Sequence, residues 1–237
     1  MILCVTLNPC LDKTLIVPPW RPGDLVRGTA IREVVGGKGN NVARALTRLG
    51  RSARPVTFLG GAVGTACATL LRGDDRLDPL VIPSQAPTRV ILTVRTGETA
   101  EQSAFFDPDP AITSDEAEEM LRSVGDAMRS GIEALTLSGS SPSPATHDLY
   151  SELIAMAQAR RVPVFLDTYG PALDAIWGFW PTVIQLNRRE ASAHARVPSL
   201  SDDDAAALLD NWRRRGVACA VITDGPRPAE VLLGGKR

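Results

Sequence analysis

The amino-acid sequence predicts a protein of the α/β class, in which a mostly parallel sheet is covered by helices on both faces. Three observations predict this class. Apolar runs of strand length recur along the chain, most of them follow a segment with helical periodicity, and no internal repeat or low-complexity linker interrupts the pattern. With 237 residues and 44% hydrophobic residues, the chain is long enough for one substantial core, so we expect a single domain.

The apolar runs define the predicted strands in order. They read MILCVTL, RPVTFLG, ALTLSG, VPVFLD, TVIQLN and ACAVITDG. The helical periodicity predicts helices over Val42 to Leu49, Ser114 to Met128, His147 to Arg160 and Asp202 to Arg215. Ser114 and Ser201 each precede acidic residues, so we predict an N-cap at each of these two serines.

Two segments, at residues 12–35 and 88–106, break this alternation. They are rich in alternating and β-branched residues, as in KTLIVPPW and TRVILTVRT, with no helical pattern inside them. This composition predicts short antiparallel strands outside the main sheet. We expect them to form a small β lid that belongs to the same domain.

Charge and composition exclude several classes of partner. Lys and Arg number 26 against 27 Asp and Glu, without a block of like charges, so nothing favours a nucleic acid or an anionic membrane. The apolar start ends at Asn8 and Pro9, too early for a signal peptide, and no run is long enough to span a bilayer. The four cysteines are scattered, which favours buried thiols over disulfides or zinc. We expect a cytoplasmic protein that binds small molecules.

The stretch VVGGKGNNVARALTRLG, from Val34 to Gly50, places a glycine-rich turn before a predicted helix. It is not a P-loop, because Arg32 and Gly39 stand where that motif needs Gly and Ser or Thr. It also lacks the third glycine of a dinucleotide fingerprint. Backbone amides, a helix N-terminus and Lys38 nevertheless suit hydroxyls or a phosphate. The alternative is a purely conformational turn.

Seven further segments accompany GGKGNNVARALTRLG along the whole chain. They are TLNPCLD, FLGG, the pair Thr88 and Arg89, LSGSSP, LDT, LNRRE and ITDG. With these segments the sequence resembles the PfkB group of carbohydrate kinases, which has the ribokinase-like fold. Within that group it is similar to the branch of 1-phosphofructokinases and tagatose-6-phosphate kinases.

The resemblance implies a ribokinase-like three-layer α/β/α core, with a mostly parallel sheet and a small β-sheet lid, in one domain over residues 1–237. It implies ATP-dependent phosphorylation of a sugar phosphate, with fructose 1-phosphate ahead of tagatose 6-phosphate and fructose 6-phosphate. ATP and Mg²⁺ are the implied cofactors. A homodimer formed through the β lid is the implied assembly.

The resemblance also implies the residues of the site. The implied substrate-binding residues are Asp12, Gly36, Gly37, Lys38, Asn41 and Arg89. A carboxylate and an amide suit sugar hydroxyls, and the two cations suit the phosphate of the substrate. The implied ATP-binding residues are Asn187, Glu190, Thr223 and Gly225. Asn187 and Glu190 would also position Mg²⁺ through water.

The chain departs from the family pattern at three places. It contains no Gly-Ala-Gly-Asp, the turn that carries the catalytic aspartate of the family, so no catalytic residue is assigned and we expect the C-terminal part of the fold to be missing. Gln185 stands where relatives often carry a lysine, and FFDPDP replaces a lid sequence richer in Gly and Asn. Without the aspartate we expect sugar phosphates to be bound more readily than turned over.

Two other functions remain open from the sequence. The first is a non-catalytic sugar-phosphate binding or regulatory protein, and the second is a kinase of nucleosides or unphosphorylated sugars. Taken singly, the site residues also have structural interpretations: Asp12 as a turn residue, Arg89 as an exposed strand cation and Glu190 as a first-turn helix acid. His147 and His194 are too isolated to form a metal pair, and neither is given a role.

Overall fold

The computed structural model describes residues 1–96 and 102–234, so residues 97–101 of the predicted lid segment and residues 235–237 lie outside the described residues. The strands are β1 (Ile2–Thr6), β2 (Cys10–Val17), β3 (Ala30–Gly36), β4 (Ala53–Leu59), β5 (Leu80–Pro83), β6 (Arg89–Thr96), β7 (Gln102–Phe106), β8 (Ala134–Ser138), β9 (Val164–Asp167), β10 (Val183–Asn187), β11 (Cys219–Asp224) and β12 (Arg227–Leu233). The helices are α1 (Lys38–Arg48), α2 (Gly61–Gly73), α3 (Ser114–Arg129), α4 (Leu149–Gln158), α5 (Pro171–Asp174), α6 (Arg188–Ala195) and α7 (Asp202–Arg214).

The main sheet has eight strands in the order β12-β11-β10-β9-β8-β1-β4-β5. Every neighbouring pair is parallel except β11 and β12, which form an antiparallel hairpin at one edge. All six predicted apolar runs are strands of this sheet. The predicted α/β class is therefore confirmed. Because the strands are parallel, their carboxyl ends lie along one edge of the sheet, where ligands of such folds bind.

The predicted helices are present with shifted ends. The first begins at Lys38 and not at Val42, so the lysine of the glycine turn is itself the first helical residue. The predicted cap at Ser114 is wrong, because Thr113 caps α3 and exchanges hydrogen bonds with Glu116. Ser201 caps α7 as predicted. The helix α2 was not predicted, because its glycines and its apolar residues give no clear helical period.

The lid is a four-stranded sheet in the order β3-β2-β6-β7. Strand β2 pairs antiparallel with β3, and β6 pairs antiparallel with β7, as predicted. The pair β2 and β6 is parallel, however, so the prediction of antiparallel strands throughout is wrong at the centre of the lid. A parallel pair needs a long connection, and here β3, α1, β4, α2 and β5 lie between the two strands.

Two apolar clusters hold the main sheet and the lid together. The larger cluster joins β1, β8, β9 and β10 to side chains of α3, α4, α6 and α7. The smaller cluster contains Cys4 of β1, Leu11 of β2, Ala43 of α1 and Cys67 of α2. It therefore connects the base of the lid to the main sheet through α1, which follows the glycine turn, and through α2.

A groove lies on the face of the main sheet that α1 covers. It has a volume of about 360 Å³, lies between α1 and strands β8, β9 and β10, and has a mostly apolar lining. Phe165 in this groove is 43% exposed. Among the described residues, no helix is long and apolar enough to cross a membrane.

Candidate active site

The glycine turn between β3 and α1 has no room for side chains at its tightest points. A Cβ atom at Gly36 would lie 2.2 Å from Asp12 Oδ2, and one at Gly39 would lie 2.5 Å from the carbonyl oxygen of Val5. Gly37 has a φ of 107°, which favours glycine. The glycines therefore let the end of β3 approach the Asp12 carboxylate and the start of α1 approach β1 closely.

Asp12 lies on β2, opposite Ile91 of β6. The thiol of Cys10 donates a hydrogen bond to Asp12 Oδ1 over 3.5 Å. Burial raises the pKa of Asp12, while the Cys10 hydrogen bond and the positive charges of Arg89 and Arg44 oppose that increase. The structure thus holds one carboxylate, the acceptor group that suits sugar hydroxyls, over the glycine turn.

Asn41 lies on the first turns of α1, where Arg44 fixes its side chain. Arg44 Nη1 donates to Asn41 Oδ1 over 2.6 Å, and Nη2 donates to the carbonyl oxygen of Val35 over 3.0 Å. The same guanidinium binds both carboxylate oxygens of Asp75, over 2.7 and 2.6 Å. Since Arg44 occupies the amide oxygen, the Asn41 nitrogen is the group left to donate to a ligand.

Arg89, the first residue of β6, faces a carboxylate. Its Nη1 donates to Asp109 Oδ1 over 2.7 Å, and Asn8 Nδ2 donates to the same oxygen over 2.9 Å. Asn8 Nδ2 also lies 3.1 Å from Ser140 Oγ. We call Asn8, Asp12, Arg89 and Asp109 the lid cluster, because they join the turn after β1, the lid and the segment that follows β7.

Lys38 bridges two carboxylates at the carboxyl ends of the main strands. Its Nζ donates to Asp167 Oδ1 over 2.8 Å and to Glu190 Oε1 over 3.1 Å, and it lies 5.3 Å from the ring centre of Tyr169. Burial alone would lower the pKa of Lys38, but the two carboxylates outweigh it and raise that pKa. Burial has the opposite effect on a carboxyl group: it raises the pKa of Asp167, and the hydrogen bond and charge of Lys38 oppose that increase.

Asn187 and Glu190 form a capping box at the start of α6. Asn187 Oδ1 accepts from the Glu190 backbone N–H over 2.9 Å, and Glu190 Oε2 accepts from the Asn187 N–H over 3.0 Å. Glu190 uses its second oxygen for Lys38. The N-x-x-E pattern therefore has a structural explanation as a cap, and Glu190 in addition contributes charge to the site.

Thr223 and Gly225 lie on the neighbouring strand and its turn. Thr223 is opposite Asn187 in the β10 and β11 pair, and its hydroxyl accepts from Gln185 Nε2 over 3.2 Å. Gly225 has a φ of 57° in the turn between β11 and β12. We call Lys38, Asp167, Asn187, Glu190 and Thr223 the strand-end cluster.

These two clusters contain six of the ten predicted site residues. The other four, Gly36, Gly37, Asn41 and Gly225, lie on the glycine turn, the start of α1 and the turn between β11 and β12. Asp12 and Arg89 lie together above the glycine turn, whereas Lys38, which was predicted to act beside Arg89, contacts Asp167 and Glu190. Asp167 and Glu190 supply carboxylate oxygens, the donors that Mg²⁺ prefers, and one or two such groups with substrate phosphates suffice for this ion. Among the described residues, no group of three or more His, Cys, Asp or Glu could hold a metal. The residues therefore fit Mg²⁺ only when a phosphate ligand completes its coordination.

A family profile matches almost the whole chain. The profile described as pfkB family carbohydrate kinase matches residues 5–236. The chain belongs to this family. The suspected PfkB membership is thereby confirmed, and the glycine turn before α1 is one of the segments that first indicated it.

Two relatives of this PfkB chain are named as phosphofructokinases. The ATP-dependent 6-phosphofructokinase isozyme 2 of Mycobacterium tuberculosis (strain CDC 1551 / Oshkosh) is 35% identical over 175 residues, which are 74% of this chain and 51% of the relative. The protein of the same name from Escherichia coli (strain K12) is 30% identical over 230 residues, which are 96% of this chain and 74% of the relative. The chain thus spans about half the length of the first relative.

Solved structures give the same fold for the PfkB chain. Phosphofructokinase-2 from Escherichia coli in a tetrameric inhibited form matches with a TM-score of 0.85 and 30% identity, over 98% of this chain and 76% of that chain. The same enzyme in complex with fructose-6-phosphate matches with a TM-score of 0.82 and 29% identity, over the same shares. Ribokinase from Arabidopsis thaliana, complexed with ribose and ATP, matches with a TM-score of 0.67 and 18% identity, over 100% of this chain and 75% of that chain. The predicted ribokinase-like fold is confirmed.

Four residues of the site, Asn8, Arg44, Asp109 and Asp167, were not predicted from the sequence of this PfkB chain. Asn8 lies in the TLNPCLD segment, whose aspartate alone was given a role. Asp167 lies in the LDT segment, at the end of a predicted strand, which was a usable signal. Arg44 lies one helical turn after Asn41, so its reach to that side chain could have been inferred. Asp109 lies in FFDPDP, and nothing local in the sequence indicates that it meets Arg89.

Proposed function

We propose that this PfkB chain is an ATP-dependent kinase acting on a phosphorylated ketohexose. The position of Lys38 is the observation that carries the proposal. Lys38 follows the glycine turn beside Asp12, and its ammonium bridges Asp167 and Glu190 at the strand ends. A cation placed between a hydroxyl-binding turn and a pair of carboxylates suits phosphoryl transfer, which depends mainly on alignment and charge neutralisation.

Each cluster has a proposed part in the reaction. Asp12, with Gly36 and Gly37, accepts and orients sugar hydroxyls, and the Asn41 amide donates to them. Arg89 binds the phosphate that the substrate already carries. This division leaves Lys38 for the phosphoryl group in transfer, since its contacts lie in the strand-end cluster and not with Arg89.

The nucleotide is proposed to bind at the strand-end cluster. Thr223 and Gly225 would line this site, and the backbone at the start of α6 is held by the Asn187 and Glu190 cap. Mg²⁺ beside Asp167 and Glu190 would supply positive charge to the phosphate oxygens of ATP.

The named relatives bear on which ketohexose phosphate is used. Both curated relatives are 6-phosphofructokinases, and one solved relative binds fructose-6-phosphate. These names favour fructose 6-phosphate, whereas the sequence resemblance to the 1-phosphofructokinase branch favours fructose 1-phosphate. We propose that one of these two phosphates is the substrate, with tagatose 6-phosphate as the next candidate.

ADP release by the purified chain tests the proposal. The assay uses Mg·ATP with fructose 1-phosphate, fructose 6-phosphate, tagatose 6-phosphate or free fructose, and Asp12→Asn is the matched variant. We expect binding of one sugar phosphate with slow ADP release, because the chain contains no Gly-Ala-Gly-Asp aspartate. Asp12→Asn should lose roughly tenfold or more in that binding, because a charged hydrogen-bond acceptor is replaced by a neutral one. Binding of a sugar phosphate without ADP release would instead identify a binding protein. Turnover with free fructose alone would contradict the proposed substrate class.

A homodimer through the lid is a second part of the proposal. The lid exposes large apolar side chains, with Ile31 58%, Phe105 55% and Phe106 63% exposed. Such side chains on one small sheet favour a protein contact. Sedimentation of the wild type and of Phe105→Ser/Phe106→Ser tests it: we expect a dimer for the first and a monomer for the second. A wild type that sediments as a monomer at all concentrations would contradict this assembly.

A further inference from the structure

The proposed function assigns Arg89 to the phosphate of the substrate, but in the lid cluster Arg89 is already paired with a carboxylate. Asp109 Oδ1 accepts from both Arg89 Nη1, over 2.7 Å, and Asn8 Nδ2, over 2.9 Å. The Arg89 side chain is only 14% exposed, while Asp109 is 46% exposed. The cation is therefore enclosed, and the carboxylate lies on its solvent side.

Within the described part of the chain, the two cations that act on Asp12, Arg89 and Arg44, are both engaged by carboxylates. Arg89 faces Asp109, and Arg44 binds Asp75 with two hydrogen bonds. Lys38 binds Asp167 and Glu190. A phosphate that enters this site consequently competes with Asp109 for Arg89, because a dianion and a carboxylate at one guanidinium repel each other.

We propose that Asp109 is a specificity-determining residue whose carboxylate competes with the phosphate of the substrate for Arg89. The inference rests on the proposed function, since it takes a sugar phosphate as the ligand. A neutral sugar does not meet this competition, because its hydroxyls can donate to Asp109 while the ion pair stays in place. Asp109 thus lowers the affinity for phosphorylated sugars relative to neutral ones.

The segment around Asp109 allows the carboxylate to leave without moving the chain. Asp107 anchors this segment to β6: its Oδ2 accepts from the Val90 N–H over 2.8 Å, and its N–H donates to the Val90 carbonyl over 3.0 Å. Pro108 and Pro110 on either side of Asp109 restrict the backbone further. Rotation of the half-exposed side chain alone therefore frees Arg89.

Asp109→Asn and Asp107→Asn form a matched pair of variants. Both remove one negative charge from the same segment, but only the first removes the charge at Arg89. Calorimetric titration of the full chain with fructose 6-phosphate, fructose 1-phosphate and fructose measures the effect. For Asp109→Asn we expect about fivefold tighter binding of a sugar phosphate and unchanged binding of fructose. For Asp107→Asn we expect the ratio of the two affinities to remain that of the wild type.

The outcomes separate this inference from the proposed function. Sugar-phosphate binding that is equal in the wild type, Asp109→Asn and Asp109→Ser, with thermal unfolding showing all three folded, would overturn the role of Asp109 and leave the function standing. An equal gain in Asp107→Asn would show a general charge effect and would also overturn it. If no variant binds any sugar phosphate while fructose binds, the proposed substrate class fails and the competition fails with it.

Discussion

The lid cluster and the strand-end cluster are built in different ways. The lid cluster joins side chains that are far apart in the sequence, such as Asn8 with Asp109 and Ser140. In the strand-end cluster, the Asn187 and Glu190 cap is local, since its two hydrogen bonds join residues three positions apart. Asp167 and Thr223 come from the neighbouring strands β9 and β11, and Lys38 comes from α1. The first cluster therefore depends on the tertiary fold throughout, whereas the second combines a local cap with tertiary contacts.

Gly36→Ala should break the lid cluster and have the largest effect. A Cβ atom at Gly36 would meet Asp12 Oδ2 at 2.2 Å and Cys10 Sγ at 2.5 Å, so the side chains of β2 must shift away from the end of β3. We expect a loss of about 3 kcal/mol in the free energy of unfolding by urea, with loss of sugar binding. Gly73→Ala is the control, because a Cβ atom there meets nothing within 4 Å. A Gly36→Ala protein as stable as the control would show that the glycine turn is not tightly packed.

Arg44→Met should weaken the same cluster by a smaller amount. It leaves Asp75, whose side chain is 14% exposed, without its cation, and it frees the Asn41 amide to rotate. We expect a loss of about 2 kcal/mol in unfolding free energy and roughly tenfold weaker sugar binding. Arg48→Met, on the exposed last turn of the same helix, is the control. Unchanged sugar binding in a destabilised Arg44→Met would limit Arg44 to a structural role.

Lys38→Met distinguishes between the two clusters directly. If Lys38 serves the strand-end cluster, the variant should bind Mg·ATP about tenfold more weakly and bind the sugar as the wild type does. Lys13→Met, which removes a lysine paired with Glu33 on the lid, is the control. Weaker sugar-phosphate binding with normal Mg·ATP binding would return Lys38 to the place beside Arg89 that the sequence predicted.

The pH dependence of the Lys38 effect has a defined sign. Because the pKa of Lys38 is raised in the folded chain, its stabilising contribution is present below the ordinary value of 10.5 and is lost as the pH rises through the raised value. The difference in unfolding free energy between the wild type and Lys38→Met should therefore be constant near neutral pH and should decrease in the alkaline range. It should also decrease in acid, because Asp167, whose pKa is raised, becomes protonated and no longer pairs with Lys38. A difference that decreases within the neutral range would contradict this.

Asn187→Ala should have the smallest effect, because the box is local. Loss of the Asn187 cap should cost about 1 kcal/mol in unfolding free energy, and Ser201→Ala, which removes the similar cap of α7, should cost the same. If Asn187 also serves the nucleotide, only Asn187→Ala should weaken ATP binding. Equal ATP binding by both variants would show that Asn187 acts only as the cap of α6 and does not bind the nucleotide.

The sequence was informative where the apolar pattern alone decides. The six buried strands and the Ser201 cap of α7 were predicted, because they depend on residues within a few positions. The α3 cap was placed one residue late, and the α6 cap was not predicted. The sequence was not informative where the partner is remote. No spacing connects Asp109 to Arg89 or Lys38 to Asp167, and the parallel pairing of β2 with β6 depends on strands that are separated by most of the first half of the chain.

That parallel pair also fixes an order of events in folding. Strands β2 and β6 can meet only after the chain between them has closed into β3, α1, β4, α2 and β5, and closing such a loop is entropically costly before other contacts reward it. The lid should therefore form late, on a sheet that is already assembled. We expect hydrogen exchange to protect the β1 and β4 amides before those of β6, so that a newly made chain acquires its strand ends first and its lid cluster last.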